Sequence, residues 1–375
     1  MNSKTESRTI KAAVVRTKGG PFEMETLQLE EPRMDEVLIR IVATGVCQTD
    51  AHVRDQAYPV PLPIVLGHEG AGIVEKIGSA VTTVAPGDHV ALSYQSCGHC
   101  SLCLTGHSPY CEHGFELCFG GHRLDGSNAF GRDGVHGHFF GQSSFATYSL
   151  ATERNVVKVP TDVPLELMGP LGCGMQTGAG AVFNTLEVPP GASIAIFGTG
   201  GVGIAAIMAA RIAGADPIIA VDISDERLAL AAELGATHII NGRNEDIRSR
   251  IMAITGSGVD YVLEITAQPK MLKLAVDVLK ILGTAGLIGG APTGTEAPVD
   301  MNQLLGGRKL RGIAQGDATP QVFIPKLIDL FKAGKFPFDR LVKFYDFDDI
   351  NQAFADAKSG KTIKPILRIT KLQQL

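Results

Sequence analysis

Cys97, Cys100, Cys103 and Cys111 fall within fifteen residues in the spacing C-x2-C-x2-C-x7-C. Four thiolates so placed can converge on one tetrahedral ion with only short loops between them. Soft sulfur ligands that close the coordination shell predict a structural zinc site with no open position for chemistry. The competing reading, two disulfides, belongs to short, cysteine-dense, exported domains. This chain has 375 residues, three of its seven cysteines lie outside the block, and Met1 to Lys11 carries no charged-then-apolar leader, so a reducing cytoplasm is the expected setting.

A second chemical motif is Gly198-Thr199-Gly200-Gly201-Val202-Gly203, set between the apolar run Ser193 to Phe197 and a helical window from Val202 to Gly214. In a strand-turn-helix context, the first glycine makes the tight turn and the second lets the backbone approach a pyrophosphate. The third allows close helix-sheet contact, and the helix N-terminus presents its positive dipole end. Asp222 closes the next apolar run nineteen residues after Gly203. Its carboxylate can accept from both ribose hydroxyls and would repel a 2′-phosphate, so the expected cofactor is NAD rather than NADP. Arg227 either flanks the adenosine ribose or is a surface charge on the helix Asp225 to Leu234.

The elements that must position these motifs divide the chain by texture. Lys11 to Arg16, Glu36 to Thr44, Gly70 to Ile77 and His89 to Ser93 read as strands punctuated by turns such as Ala85-Pro86-Gly87-Asp88, an irregular β-rich half. The cysteine block and a loop-like stretch, Glu112 to Gly141, follow. After Pro160, strands alternate with helices: Ser193 to Phe197, Pro217 to Val221, His238 to Ile240, Val259 to Ile265 and Thr284 to Ile288 are strands, while Val202 to Gly214, Asp225 to Leu234 and Lys270 to Leu282 are helices. Such alternation implies an α/β fold with a mostly parallel, doubly wound sheet. The tail adds helices near Val322 to Ala333 and Phe347 to Ser359 and a strand at Lys364 to Ile369. A length of 375 residues at 45% apolar composition favours two domains. A net charge of −5 without a basic run argues against nucleic acid or an anionic membrane as partner. The apolar stretch Ser193 to Ala213 is broken by glycines and reaches Arg211, so it is not expected to span a bilayer.

Gly45-Val46-Cys47-Gln48-Thr49-Asp50, Gly67-His68-Glu69-Gly70, the cysteine block, Cys173-Gly174 and the glycine loop, in that order, resemble the zinc-dependent alcohol dehydrogenases of the medium-chain dehydrogenase/reductase superfamily. The resemblance runs from about residue 10 to 370. It implies a GroES-like β-rich catalytic domain over residues 1–178 and 317–375, a Rossmann NAD-binding domain over 179–316, and an active site in the cleft between them. It also implies two zinc ions per chain, with Cys47, His68 and Cys173 binding the catalytic one and leaving its fourth position to water or substrate. Taken singly, each of these residues has a duller reading: a buried thiol, a core histidine, a structural carboxylate for Glu69. By the resemblance Glu69 is the nearby acid that can approach the metal during ligand exchange, and Asp50 orients the ligand histidine. Cys118 reads as a free buried thiol, and the histidines His99, His107, His113, His122, His136 and His138 are not expected to form a third metal site.

The implied reaction is hydride transfer from a zinc-bound alkoxide to the nicotinamide, the metal acting as a Lewis acid. The resemblance makes the Thr49 hydroxyl the first proton acceptor, the cofactor ribose its carrier and His52 the base that passes the proton to solvent, and sets Thr177 and Val202 against the nicotinamide ring. Gln48 and Lys364 stand where the best-known animal members have arginines against the pyrophosphate, which implies a weaker electrostatic grip on NAD and faster NADH release. Within the superfamily, Ser93 to Cys100 and Gly137 to Phe145 most resemble bacterial aryl-alcohol (benzyl alcohol) dehydrogenases. Ser93 falls where many members carry a bulky aromatic, and Phe139 and Phe140 can supply flat apolar walls, so an aromatic primary alcohol is the expected substrate. The alternatives are an aliphatic alcohol, a glutathione-dependent formaldehyde dehydrogenase, whose substrate carboxylates call for a basic residue that Glu112 to His122 lacks apart from histidine, and a zinc-free dinucleotide-binding or structural relative. A homodimer or homotetramer paired through the last strand of the nucleotide sheet, near Gly307 to Ile313, is expected.

Overall fold

The computed structural model of the chain describes residues 7–130 and 134–370; three residues of the stretch expected to be loop-like, 131–133, lie outside the described residues. The first eight strands are β1 (Ser7–Val15), β2 (Phe22–Glu30), β3 (Glu36–Gly45), β4 (Ile64–Val65), β5 (Gly70–Ile77), β6 (His89–Leu92), β7 (Tyr148–Thr152) and β8 (Val156–Lys158). They are followed by β9 (Ile194–Phe197), β10 (Ile218–Asp222), β11 (His238–Asn241), β12 (Val259–Glu264), β13 (Leu279–Leu287) and β14 (Lys309–Gly312). The tail returns with β15 (Val342–Asp346) and β16 (Lys364–Arg368).

Two units pack internally. One comprises Met1–Cys173, Thr319–Ile328 and Asp339–Leu375; the other comprises Gly174–Ala318 and Asp329–Phe338. In the first, β2-β1-β4 form a small sheet, and β15-β16-β3-β5-β6-β8 form a larger one, with β7 also paired to β3. β3 is the hinge of this unit because its period-two alternation feeds two cores. Val37, Ile39 and Ile41 join Val74, Val90 and Leu92 on one side, while Leu38 joins Val14, Leu66 and Phe145 on the other. Nearly every β3 residue is therefore buried, and only Arg40 reaches out, to Glu75 at 3.0 Å.

In the second unit, six parallel strands run in the order β11-β10-β9-β12-β13-β14, the doubly wound arrangement whose ligand crevice lies outside the strand carboxyl ends. Ile194, Ala195, Ile196 and Phe197 are fully buried because β9 is covered on both faces. The helix Asp225–Leu234 matches its expected limits: Ser224 caps it by accepting from Arg227 N, and Gly235 ends it.

Two local expectations are corrected. The window Lys270 to Leu282 is not one helix; it ends at Asp277, and Leu279 to Leu287 form a nine-residue strand. Leu274, Val278 and Leu282 are spaced four apart and mimic a helix face, but pairing with β12 and β14 overrides that period. The stretch expected as loop contains a helix, Gly114–Phe119, and the helix Ile247–Thr255 and strand β2 were not anticipated. β2 reads as polar because only Phe22, Leu27 and Leu29 of its nine residues are buried. Among the described residues no helix is long and apolar enough to cross a membrane.

Candidate functional site

The cysteine block folds as a lobe around its own sulfurs. Cys100 caps the short helix Ser101–Leu104, and a 3-10 turn, Ser108–Tyr110, delivers Cys111. None of the seven cysteines is in a disulfide. The four Sγ atoms of the block lie within 4.8 Å of one another, with Cys97 to Cys103 and Cys100 to Cys111 each 4.0 Å apart. Zinc-sulfur bonds of about 2.3 Å in a tetrahedron need sulfurs about 3.8 Å apart, so the lobe fits the ion. Backbone amides already point at the sulfurs: Cys97 N donates to Cys111 Sγ and Cys100 N to Cys97 Sγ, both at 3.3 Å. The amide of Cys103 draws the Cys100 thiol down to about 6, while burial pushes Cys111 up to about 12.

The second donor set is built from three separate segments of the first unit. Cys47 precedes the helix Gln48–Arg54, His68 and Glu69 lie just before β5, and Cys173 follows the 3-10 turn Gly169–Gly172. Side-chain donors of Cys47, His68, Glu69 and Cys173 all lie within 4.8 Å of one another. Cys173 Sγ is 4.0 Å from Cys47 Sγ and 3.3 Å from His68 Nε2. A tetrahedral ion bound to two sulfurs and a nitrogen asks for about 3.8 and 3.6 Å, so this set also fits. The turn that brings Cys173 in is possible only with glycine: a Cβ on Gly169 would lie 2.0 Å from Glu69 O, and one on Gly172 1.8 Å from Leu92 O.

Asp50 ties the first two segments together. It is fully buried, and its Oδ2 accepts from Cys47 N at 3.1 Å while Oδ1 accepts from Gly67 N at 3.1 Å and faces His68 Nδ1 at 3.0 Å. That contact leaves His68 Nε2 aimed at the sulfurs. Burial opposes charge on His68, but Asp50 and Cys47 together outweigh it and raise the imidazole well above its ordinary value. Cys47 is pulled well below the usual thiol range, first by its hydrogen bond with Cys173 and against the penalty of burial; Cys173 is pushed up in turn. A pocket that stabilises an imidazolium beside a thiolate is one in which a cation can replace a proton.

Glu69 is fully buried and faces Lys364, whose Nζ lies 2.8 and 2.9 Å from its two oxygens and 3.3 Å from Val46 O. Burial pushes the Glu69 carboxyl up and Lys364 pulls it back; burial likewise opposes charge on Lys364, and Glu69 with the Cys47 and Cys173 sulfurs more than restores it. Lys364 was expected against the pyrophosphate. Its ammonium lies on Glu69 and Val46 O at 5% exposure, because strand pairing of β16 with β3 carries it beside Val46.

Around His68 lies an aromatic wall. Phe140 stacks on its ring at a centroid distance of 4.5 Å and 27°, and Phe139 meets it edge-on at 5.5 Å. Phe119 contacts both phenylalanines, and Tyr58 links Phe119 to His52. Both expected walls are buried in the core of the first unit, Phe139 fully and Phe140 at 6% exposure. Ser93 is fully buried and its hydroxyl donates to Gly172 O at 2.7 Å, bracing the turn before Cys173. Sequence reasoning missed Tyr58, Phe119 and Gln142. Gln142 is buried and clamps the site, its Nε2 donating to His68 O and Ser93 O and its Oε1 accepting from Gly70 N.

Thr49 and His52 lie half-buried on the helix Gln48–Arg54, with Thr49 Oγ1 3.8 Å from Cys47 Sγ and Gln48 exposed at the helix start. Cys118 is buried, its thiol pushed up to about 12 by burial, and it stands apart from both donor sets.

In the second unit the glycine turn follows β9. Gly198 has φ +97°, and a Cβ on Gly203 would lie 1.9 Å from Gly198 O, so the third glycine is required by contact within the turn itself. Gly200 and Gly201 open the helix Gly201–Ala213. The helix Gly174–Gly180 approaches so closely at Gly178, 2.0 Å from Val202 O to a notional Cβ, that Thr177 and Val202 come to the same end of the sheet. The Asp222 carboxylate accepts from Thr199 N and Oγ1 at 2.7 and 2.8 Å and from Ile223 N and Ser224 N at 2.7 and 3.1 Å. It thus fastens the turn to β10, a role that was not anticipated beside ribose binding. Arg227 is half-buried on the following helix.

Comparison with known proteins agrees with this geometry. Residues 33–161 match the alcohol dehydrogenase GroES-like domain, and residues 201–333 match the zinc-binding dehydrogenase family. Geraniol dehydrogenase of Castellaniella defragrans is 47% identical over 372 residues, 98% of this chain and all of that protein. The crystal structure of benzyl alcohol dehydrogenase from Acinetobacter calcoaceticus is 52% identical with a TM-score of 0.95, covering 97% of this chain and 100% of that one. An alcohol dehydrogenase zinc-binding domain protein from Burkholderia ambifaria is 56% identical with the same TM-score, over 98% and 100% of the two chains. With a GroES-like β-rich unit, a Rossmann-type parallel sheet and full-length similarity of this order, the chain belongs to the zinc-dependent medium-chain alcohol dehydrogenases.

Proposed function

We propose that the chain oxidises aromatic primary alcohols of the benzyl alcohol type to aldehydes with NAD. The observation that carries the reading is Phe140 stacked on His68, with Phe119 and Tyr58 continuing the aromatic surface outward from the donor set. A flat ring gains stacking there that a short aliphatic chain cannot match. Similarity to a benzyl alcohol dehydrogenase supports the reading, and similarity to a geraniol dehydrogenase supports a second, allylic alcohols. Both substrates named in those relatives carry an sp² carbon beside the carbinol carbon and give conjugated aldehydes.

Cys47, His68 and Cys173 would hold the catalytic zinc, and Cys97, Cys100, Cys103 and Cys111 the structural one. Bound zinc and NAD supply, respectively, a Lewis acid that lowers the alcohol's pKa and a hydride acceptor. The chain's own residues do the rest. Asp50 fixes the His68 ring, Phe140 and Phe119 orient the substrate's flat face, and the Thr49 hydroxyl next to Cys47 takes the alcohol proton. His52, half-buried on the same helix as Thr49, is the base that returns it to water. Gly198, Gly200, Gly201 and Gly203 cradle the pyrophosphate, Thr177 and Val202 bear on the nicotinamide, and Asp222 with Arg227 meets the adenosine ribose. Gln48, exposed at its helix N-terminus, gives the pyrophosphate a neutral partner.

Met301, Leu305, Ile281, Leu282 and Leu310 are exposed around the open edge strand β14, an apolar edge that pairing with a second copy would cover, so a homodimer or a homotetramer is part of the proposal. Seven free thiols favour the cytoplasm. The test is a comparison of kcat/KM with NAD for benzyl alcohol, geraniol, hexanol and ethanol. Benzyl alcohol should lead; leadership by geraniol selects the allylic reading, and leadership by ethanol or hexanol removes both.

A further inference from the structure

A third set of metal-binding atoms gathers on the surface of the four-cysteine lobe. Cys97 Sγ and a ring nitrogen from each of His99 and His113 lie within 4.8 Å of one another. Both histidines are exposed, with ring centroids 6.1 Å apart and planes inclined by 35°. Each stands two residues after a cysteine of the block, Cys97 and Cys111 respectively. The two loops that converge their sulfurs on the inside therefore converge their imidazoles on the outside.

The ring of His99 is already oriented. Its Nδ1 lies 2.9 Å from Cys97 O, a contact in which Nδ1 donates, and this leaves the lone pair of Nε2 outward. Cys97 Sγ accepts from the amides of His99 and Cys100 at 3.5 and 3.3 Å, which holds the sulfur at the lobe surface between the two sets of ligands. A thiolate carries more than one lone pair and can serve two ions together.

We propose that Cys97, His99 and His113 form a third, exchangeable site for a zinc-class ion, sharing the Cys97 thiolate with the four-cysteine site. Two imidazoles and one sulfur suit zinc, cobalt(II) or cadmium over calcium or magnesium. Bond lengths of about 2.0 to 2.3 Å call for ligand atoms about 3.3 to 3.6 Å apart in a tetrahedron, and these three already lie within 4.8 Å of one another, so an ion has only to draw them closer. Exposure leaves the remaining position to water, so the ion exchanges readily, unlike one enclosed by four sulfurs. The site offers zinc a landing place beside the lobe it must enter. It rests on reading the cysteine block as a zinc site.

The experiment counts zinc per chain in the intact protein, first after passage over chelating resin and then after dialysis against zinc buffered at micromolar free concentration. Wild type should rise from two equivalents to three. His99→Ala with His113→Ala should stay at two, with kcat on the best alcohol unchanged, and each single variant should take up the third ion more weakly. A wild type that never exceeds two, or a double variant that takes up the third as readily, overturns the site. A starting count of one, with the block's thiols open to a thiol reagent, overturns the zinc reading of the block and this site together.

Discussion

The ammonium of Lys364 lies 2.8 and 2.9 Å from the two carboxylate oxygens of Glu69, an ion pair between residues 295 positions apart and both almost wholly buried. It sits directly behind the Cys47, His68 and Cys173 donor set, so it contributes a fixed pair of charges within the site. Lys364→Met would leave the Glu69 carboxylate buried without its partner. Breaking such a pair from one side costs about 3 to 5 kcal/mol. Urea unfolding should show a loss of that order, and Lys364→Met with Glu69→Gln should recover most of it. A double variant as unstable as the single one would show that Lys364 matters through packing alone.

Asp50 accepts from Cys47 N and faces His68 Nδ1, so it sets both the backbone of one donor and the ring of another. Asp50→Asn keeps the size and loses the charge. Zinc held at Cys47, His68 and Cys173 should then be lost about 10- to 100-fold more readily to a chelator, with kcat/KM falling in step. Metal analysis should find the four-cysteine zinc retained. Loss of both ions together would mean general unfolding and would contradict an orienting role.

Phe119 is only half-buried, yet touches Phe115, Tyr58, Phe139 and Phe140. Replacing it with leucine keeps apolar volume and removes the flat face. An aromatic contact is worth about 0.5 to 1.5 kcal/mol beyond its area. The ratio of kcat/KM for benzyl alcohol over hexanol should therefore drop about two- to tenfold. An unchanged ratio would take Phe119 out of substrate selection.

His138 is buried and its Nε2 accepts from Ala129 N at 3.1 Å, a bond that requires that nitrogen to be unprotonated. Burial, with Arg123, Arg33 and His122 nearby and only Asp125 opposing, lowers its pKa to about 3. Unfolded, the imidazole titrates near 6.5, so the unfolded chain binds the extra proton between about pH 3 and 6.5 and stability falls as pH drops through that window. Between pH 7.5 and 5.5 this one group should cost about 1.4 kcal/mol. His138→Gln should lose less stability over that interval than wild type by this amount in urea titrations; equal losses would assign the acid sensitivity elsewhere.

Much of the candidate site was legible because its parts are contiguous. Cys97 to Cys111 and Gly198 to Gly203 each carry their chemistry within one short segment, and the helix Asp225–Leu234 is bounded by its own cap and terminal glycine. Legibility failed where a local pattern had two meanings. Leu274, Val278 and Leu282 suit a helix face, and only a strand partner on each side makes β13 of the latter part. Position alone likewise could not tell that the Ser93 hydroxyl is taken by Gly172 O.

The sequence by itself determined the closed sulfur lobe, the dinucleotide turn and the strand-helix alternation of the second unit, since each follows from local spacing and backbone sterics. Tertiary structure alone decided that Cys173 meets His68 across 105 residues, that Lys364 binds Glu69, and that Phe140 stacks on the His68 ring. Those meetings depend on Gly169 and Gly172 letting one turn press against the backbone of Glu69 and Leu92, and on β16 pairing with β3. Contacts of that kind are fixed by packing between distant segments, which no window of neighbouring residues encodes.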